Sequence, residues 1–281
     1  MPSADLCLST YTPLWRVLAA LLFAVSRAAL PLLLVAAVLS TDPPVAPLAL
    51  IEAVVALSLL PGLAAGLIRR AGGARASVID GELRLERGDV QIAVPLTAIA
   101  AIEPWRLPLP EPGLTLRLRS GRRLPYGLAG DDLLAGLERL VAAGVDGARS
   151  AAAHPTIVYA AARPPRPRWY HRVGRYVLFA LLPTAILFNA HQYIAYGGTL
   201  GEYRLLGLGA YLRTLGLYWG LVALHLVLFA SLWRGAAEAA ALAAAWVAPS
   251  RAATVRRHAE TACQVLYYGG VPALLAARFL S

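Results

Sequence analysis

Four long apolar stretches alternate with polar segments along the chain. They cover residues 17–39, 46–68, 176–197 and 208–233. An α-helix rises about 1.5 Å per residue, so about 20 apolar residues are enough to cross the ~30 Å hydrocarbon core of a bilayer. Each stretch is therefore long enough for one crossing. The pattern predicts an α-helical integral membrane protein with at least four spans.

The segment between the second and third stretches has a different period. Apolar and polar residues alternate in the runs 82–86, 90–94 and 114–119, and turns that contain glycine separate these runs. Alternation with period two is typical of antiparallel strands that turn one face toward a core. In residues 131–144, leucine and valine then recur at intervals of three and four, which predicts an amphipathic helix. We therefore expect a small antiparallel β domain, closed by a C-terminal helix.

Strands followed by a C-terminal amphipathic helix resemble the bacterial pleckstrin-homology-like domains that occur attached to membrane spans. The residues that carry the resemblance are the strand and turn pattern of 77–126, the stretch 94–99 that leads to Trp105, and the helix at 131–144. The proline-rich insertion 104–112 departs from a tight hairpin and predicts a rigid, protruding loop. Because members of that family mostly have no assigned activity, the resemblance implies a fold rather than a reaction.

These patterns divide the chain into four segments. They are an N-terminal transmembrane hairpin (1–70), a pleckstrin-homology-like β domain (76–145), a linker rich in proline and arginine (146–172) and a C-terminal transmembrane region (173–281). The last segment is expected to hold two or three spans and an interfacial helix, because 235–248 is rich in alanine and 262–280 is apolar but short. A fifth span at 262–280 is favoured, with a location in the interface as the alternative.

The basic residues are all arginine, and their distribution predicts the orientation. The net charge is +10, and 17 of the 26 arginines fall between Arg69 and Arg175. Arginines that flank spans stay on the cytoplasmic side of a bacterial inner membrane. We therefore expect the N-terminus and the β domain to be cytoplasmic. Because topology explains the basic excess, the expected partners are membrane lipids and a protein in the membrane or cytoplasm, and not nucleic acid.

Ionisable and polar groups at membrane depth are costly unless they are paired or face water. The candidates for a function there are Arg27, Glu52, Asn189, His191, Gln192 and His225. An ion pair between Arg27 and Glu52 is the leading interpretation, with contact to a partner subunit and a transport path as alternatives. A haem between His191 and His225 fails on depth, because these residues lie about 25 and about 12 Å from the cytoplasmic edge at ~1.5 Å per residue. The sequence predicts no cofactor and no metal site.

Two surfaces of the β domain are candidates for interaction. The proline-rich loop offers three apolar side chains, Trp105, Leu107 and Leu109. One side of a strand and the turn after it offer four guanidinium groups, Arg117, Arg119, Arg122 and Arg123. Guanidinium groups suit lipid phosphate or an acidic partner. A solvated strand face is the commoner explanation of such an arginine pattern.

The chain contains no sequence motif that commits it to a reaction. The patterns GxSxG, HExxH, GxGxxG and GxxxxGK[ST] do not occur in it. We therefore predict an anchoring, assembly or regulatory component of the inner membrane that acts through its cytoplasmic β domain and does not catalyse a reaction. The alternative is a subunit of a transporter or of an envelope-lipid enzyme that uses the intramembrane polar residues.

Overall fold

The computed structural model describes residues 6–39, 46–130, 133–163 and 174–280. Its strands are β1 (Leu6–Tyr11), β2 (Gly73–Ile79), β3 (Glu82–Arg87), β4 (Val90–Pro95), β5 (Ile99–Pro104), β6 (Gly113–Leu118) and β7 (Gly127–Ala129). Its helices are α1 (Pro13–Leu39), α2 (Pro47–Ala71), α3 (Leu133–Ala142), α4 (Ala148–Ala152), α5 (Pro155–Ala161), α6 (Tyr176–Tyr196), α7 (Gly201–Val247) and α8 (Ala252–Leu280). The contacts divide the chain into two compact units. The first contains 1–29, 53–163 and 238–259, and the second contains the rest.

The seven strands form one antiparallel sheet in the order β4-β3-β2-β1-β7-β6-β5. Its two edge strands, β4 and β5, follow each other in the chain and are joined by the single 3₁₀ turn Leu96–Ala98. The turn is held on both sides, because the Leu96 amide donates to the Gly81 carbonyl at 2.9 Å and the Arg119 amide donates to the Ala98 carbonyl at 2.8 Å. So short a connection between opposite edges requires the sheet to curl into a half-barrel.

The concave face of this sheet and helices α3 to α5 enclose one apolar core. In β3 the leucines at 83 and 85 are buried between more exposed charged neighbours, as the period-two pattern predicts. Helix α3 lies within the predicted helix 131–144 and buries Leu133, Leu137 and Leu140. Each such side chain contributes about 1.5–3 kcal/mol when it leaves water.

Strand β1 was not predicted from the sequence, although it lies near the centre of the sheet. It pairs with β2, where Leu8 faces Ala74, and with β7, where Thr10 faces Leu128. The segment 1–70 is therefore not a separate hairpin domain. Helices α1 and α2 form a hairpin inserted between two neighbouring strands. The pairing is hard to predict because the partners of β1 follow about 60 residues or more later, with no local turn to indicate them.

The predicted boundary of the β domain at residue 145 is too early. Helices α4 and α5 belong to the same core as the sheet, since Ala148, Ala151 and Ile157 are buried in it. These helices are short and rich in alanine, so their sequence shows little of the periodicity that identifies a packed helix. Residues 164–173, which include the proline-rich end of the predicted linker, lie outside the described residues.

Four described helices are long and apolar enough to cross a membrane, namely α1, α2, α6 and α7. They coincide with the four apolar stretches of the sequence. Helix α7 has 47 residues and contains one non-helical residue, Gly207, at which two helical segments meet. The alanine-rich segment 235–248 is therefore not a separate interfacial helix, because nearly all of it is the end of α7. Helix α8 contains the stretch 262–280 but is not among these four described helices, and a fifth span there stays a prediction.

Two serines join the helices of the hairpin. The Ser26 hydroxyl donates to the Ser58 carbonyl at 2.8 Å, and the Ser58 hydroxyl donates to the Ser26 carbonyl at 3.0 Å. A Cβ atom at Gly62 would lie 2.8 Å from the Ser26 hydroxyl oxygen. Small residues and reciprocal hydrogen bonds are the usual means by which helices pair in lipid. The hydrophobic effect does not drive pairing there, because the lipid tails are as apolar as the side chains.

The return of the hairpin to the sheet depends on Gly72. Its carbonyl accepts hydrogen bonds from the Thr10 amide at 2.6 Å and from the Thr10 hydroxyl at 3.0 Å. A Cβ atom at this position would lie only 2.5 Å from the Thr10 carbonyl oxygen. Because that neighbour is backbone, β1 has to move if the glycine is replaced.

We therefore expect Gly72→Ala to lower the stability of the β domain by about 1–3 kcal/mol, the usual cost of overpacking. Gly66→Ala is the matched control, because a Cβ atom there meets nothing within 4 Å. Thermal unfolding of the purified protein in detergent measures both variants. Equal melting temperatures for the two would contradict a close contact between Gly72 and β1.

Candidate functional site

Trp105 lies across the convex face of the sheet. Its neighbours Leu114 and Leu116 point into the core, so Gly113 and Thr115 turn to the opposite face. The indole Nε1 donates to the Thr115 hydroxyl at 3.0 Å. Cβ atoms at Gly113 and Gly127 would lie 2.5 Å from atoms of the indole ring. These two glycines leave the space that the ring occupies.

The same indole contacts the first helix of the hairpin. The Arg16 guanidinium lies 4.4 Å from the ring centroid, a cation–π geometry. The edge of the Tyr11 ring approaches it with centroids 6.3 Å apart. Ala19 and Ile68, one from each helix of the hairpin, pack in the same apolar cluster. Trp105 therefore joins the sheet to both helices.

Glu111 makes a second connection at the same place. Its carboxylate is buried and accepts a hydrogen bond from the Tyr11 hydroxyl at 2.9 Å, and Arg69 Nε lies 3.6 Å away. Burial, together with the nearby Glu111 charge, raises the pKa of Tyr11 well above its usual range. Tyr11 thus stays protonated and keeps donating at neutral pH. We call Tyr11, Arg16, Arg69, Trp105 and Glu111 the hairpin-base cluster.

The apolar loop is therefore only partly the surface that the sequence predicts. Trp105 is 5% exposed and does not belong to it, whereas Leu107 is 63% exposed. Leu109 is half-buried. The prediction for Trp105 is wrong because a tryptophan in a proline-rich loop gives no indication of which side it faces. The glycines at 113 and 127 are a signal in the sequence that could have indicated its burial.

The four predicted arginines lie together at the far end of β6. Arg117 faces Arg123 across an isolated bridge, and both are near the Glu103 carboxylate, with nitrogen–oxygen distances of 3.9 and 3.0 Å. Arg119 lies 3.8 Å from Asp146, and Arg122 is exposed. Exposed pairs of this kind stabilise a protein by about 0–1 kcal/mol. The guanidinium groups of this arginine face (Arg117, Arg119, Arg122 and Arg123) are thus open to solvent, and ligand binding there stays a prediction.

A second polar cluster was not predicted. Arg256, which is 3% exposed, places Nη2 2.6 Å from Oε2 of Glu238, and the Tyr159 hydroxyl donates to the same oxygen. The Arg256 guanidinium also lies 5.2 Å from the Tyr159 ring centroid. Burial raises the pKa of Tyr159. This helix-end cluster (Tyr159, Glu238 and Arg256) holds the end of α7 and the start of α8 against α5. A single glutamate in an alanine-rich run is the only signal in the sequence.

Of the intramembrane candidates, Arg27, Glu52 and Asn189 are exposed on their helices. The Arg27 guanidinium lies 5.1 Å from the Phe23 ring centroid. Arg27 and Glu52 belong to different compact units, and the ion pair between them stays a prediction. His225 is also exposed, and its Nδ1 lies 2.8 Å from the Leu221 carbonyl of its own helix.

Gln192 belongs to a buried network that includes an unpredicted carboxylate. Glu202 is 3% exposed, and its two carboxylate oxygens accept hydrogen bonds of 2.6 Å from Gln192 Nε2 and from the Thr214 hydroxyl. The Glu202 amide donates to Gln192 Oε1 at 3.1 Å. The His191 ring packs 5.2 Å from that of Tyr218. Gln192 thus connects α6 to α7 by two hydrogen bonds to Glu202.

The hairpin-base cluster predicts different roles for two loop neighbours. Trp105→Ala removes a buried indole and should lower stability by about 3–5 kcal/mol. Leu107→Ala changes an exposed side chain, so it should change the free energy of unfolding by no more than about 0.5 kcal/mol. Thermal unfolding in detergent compares them. A small effect of Trp105→Ala would show that the indole does not hold the sheet to the hairpin.

The helix-end cluster predicts that Glu238→Ala leaves a buried arginine charge without its carboxylate. The cost of such a change is about 3–5 kcal/mol, whereas replacing both charged partners by apolar residues is often neutral. We therefore expect Glu238→Ala to lower the melting temperature and the double variant Glu238→Leu, Arg256→Met to recover it. Glu138→Ala, at an exposed position of α3, is the control. Equal melting temperatures for Glu238→Ala and Glu138→Ala would exclude a stabilising role for the cluster.

Comparisons of the chain with family models, with curated proteins and with solved structures find no match. The resemblance to a bacterial pleckstrin-homology-like domain therefore stays a prediction. For the residues that the structure describes, the geometry supports the coarser description, which is four helices long enough to cross a membrane and a curled, antiparallel sheet of seven strands. Within the described part of the chain, no group of three or more histidine, cysteine, aspartate or glutamate side chains is arranged to hold a metal ion.

Proposed function

We propose that this chain is a multi-pass protein of the bacterial inner membrane that anchors its β domain at the cytoplasmic surface. There the domain takes part in the assembly or regulation of a larger complex and does not catalyse a reaction. The observation that carries this proposal is the insertion of the α1–α2 hairpin between two adjacent strands of one sheet.

The insertion leaves only one linker residue at each connection between the sheet and the hairpin. Only Thr12 separates β1 from α1, and only Gly72 separates α2 from β2. The hairpin-base cluster then fixes the convex face of the sheet against both helices. A domain on a long linker samples many orientations, whereas a sheet connected in this way has a fixed orientation at the membrane. Such rigidity is suited to positioning a partner.

The arginine face is the surface that we assign to the partner. Strand β6 starts beside Trp105 and reaches Arg117, the first residue of this face, four residues later, a distance of about 13 Å along the strand. The four arginines of this face are exposed and none of them belongs to the hairpin-base cluster, so their guanidinium groups are accessible to a cytoplasmic molecule. Guanidinium groups form bidentate hydrogen bonds with carboxylates, so an acidic protein surface is the expected partner. The cytoplasmic orientation is supported by Arg69 and Arg70 at the end of α2.

A subunit of a transporter or of an envelope-lipid enzyme is the second candidate function. The observation that favours it is the buried carboxylate of Glu202, which Gln192 and Thr214 hold by hydrogen bonds. Ionisable groups within membrane segments are often part of ion or proton paths. Glu202→Gln preserves the size of the side chain and removes its charge. Loss of biological activity in this variant, at normal abundance and with normal stability, would favour the second function.

Charge reversal tests the first function. We expect Arg117→Glu, Arg123→Glu to remove a partner that co-purifies with the unmodified protein from its own membranes in a mild detergent. Arg84→Glu, Arg149→Glu is the matched control, because both of these arginines are exposed and the change in net charge is the same. Quantitative mass spectrometry should show at least a tenfold loss of the partner, equal to about 1.4 kcal/mol of binding free energy, in the first variant only. Equal recovery from both variants would contradict a role for the arginine face.

A further inference from the structure

We infer that the loop between β5 and β6, residues 105–112, docks on the cytoplasmic leaflet. Leu107 enters the boundary between headgroups and acyl chains, and Arg106 contacts lipid phosphate. The inference rests on the proposed membrane anchoring of the hairpin and goes beyond it, because it assigns a lipid-binding role to a part of the β domain. Three features of the loop support it, namely the height of its ends, the reach of its tip and the chemistry of its exposed side chains.

Both ends of the loop are attached to residues that mark the membrane boundary. At one end, Trp105 lies under the Arg16 guanidinium in the first turns of α1. At the other end, Glu111 lies 3.6 Å from Arg69 in the last turn of α2. Arginines that flank an apolar helix lie at the level of the headgroups. The two ends of the loop therefore lie at that level as well.

The tip cannot move far from these ends. Only the five residues 106–110 lie between Trp105 and Glu111, and an extended chain covers at most about 3.3–3.6 Å per residue. A segment that leaves and returns can therefore rise by only about 10 Å. The headgroup region on each side of a bilayer is itself about 5–8 Å thick. The tip thus remains within about 10 Å of the headgroup level.

The side chains at the tip suit an anionic lipid surface. Arg106 and Leu107 are exposed, whereas the adjacent Pro108 is buried. Glu111 is the only acidic residue of the loop, and it is buried against Tyr11. The exposed part therefore presents one cation and one large apolar side chain, and Arg70, which follows Arg69 in the chain, is exposed as well. An apolar side chain in the interface and a cation at the phosphates are the two elements of interfacial membrane binding.

Fluorescence from labelled cysteines in the full chain tests the inference. In a background with Cys7→Ser and Cys263→Ala, single cysteines are introduced as Leu107→Cys, Leu57→Cys and Ser120→Cys and labelled with nitrobenzoxadiazole. Leu57 is an exposed residue within α2, and Ser120 is an exposed residue beyond the far end of β6. The proteins are reconstituted in vesicles of phosphatidylethanolamine and phosphatidylglycerol, with or without lipid that carries a nitroxide near its headgroup.

We expect the label at 107 to show blue-shifted emission and to lose at least half of its intensity on adding the nitroxide lipid, while the label at 120 is unaffected. The label at 57 reports whether the hairpin lies in the bilayer. Quenching at 57 with none at 107, or equal quenching at 107 and 120, would overturn docking of the loop and leave the proposed anchoring intact. A label at 57 that behaves as in water would overturn both.

The contribution of the phosphate contact is measured in the same assay. Arg106→Glu in the labelled Leu107→Cys protein should reduce the quenching at 107 in vesicles with phosphatidylglycerol, because a carboxylate is repelled by the anionic surface. In vesicles of phosphatidylcholine alone, the same substitution should have a smaller effect. Quenching that is the same with and without Arg106→Glu in both lipids would contradict a role for Arg106 at lipid phosphate.

Discussion

The pairing of β1 with both β2 and β7 is the interaction on which the rest of the structure depends. Without this strand the sheet would consist of two separate pieces, β2 to β4 and β5 to β7, each with an additional open edge. Exposed edges have unpaired amide and carbonyl groups that favour aggregation. Because β1 precedes the hairpin and β2 follows it, completion of the sheet requires both ends of the hairpin to be on the same side. The sheet of the β domain can therefore close only when α1 starts and α2 ends on that same side.

Side-chain contacts between the sheet and the helices explain why the β domain has a fixed orientation relative to the hairpin. Arg16 over the Trp105 ring contributes about 0.5–2 kcal/mol, depending on how far the pair is shielded from water. The buried carboxylate of Glu111 is satisfied by Tyr11 and lies near Arg69. In the same compact unit, the helix-end cluster holds the end of α7 and the start of α8 against α5. Charged groups therefore lie where helices meet the β domain, and the interior of the sheet is apolar.

Local patterns predicted the elements that depend on neighbours in sequence. Each of these patterns is contained within a single helix or strand. They are the four apolar stretches, the alternation in β3, β4 and β6, and the leucine spacing of α3. The arginine face was predictable for the same reason, since a strand and the turn after it bring its members together. The resemblance to pleckstrin-homology-like domains rests on this local pattern and stays a prediction.

Contacts between distant segments were not predictable in the same way. The partners of β1 follow the whole hairpin, Tyr11 meets Glu111 across 100 positions, and Tyr159 meets Glu238 across 79. One sequence gives no indication of which distant residues lie opposite each other. The sequence predicts an exposed Trp105, and this prediction is wrong because the burial of the ring depends on Gly113 and Gly127, two glycines from different strands. Hydrogen–deuterium exchange of the protein in lipid nanodiscs tests the central pairing most directly. The account predicts that the amides of Leu6–Tyr11 are protected as strongly as those of Gly73–Ile79, whereas exchange within seconds, as in an unpaired terminus, would contradict it.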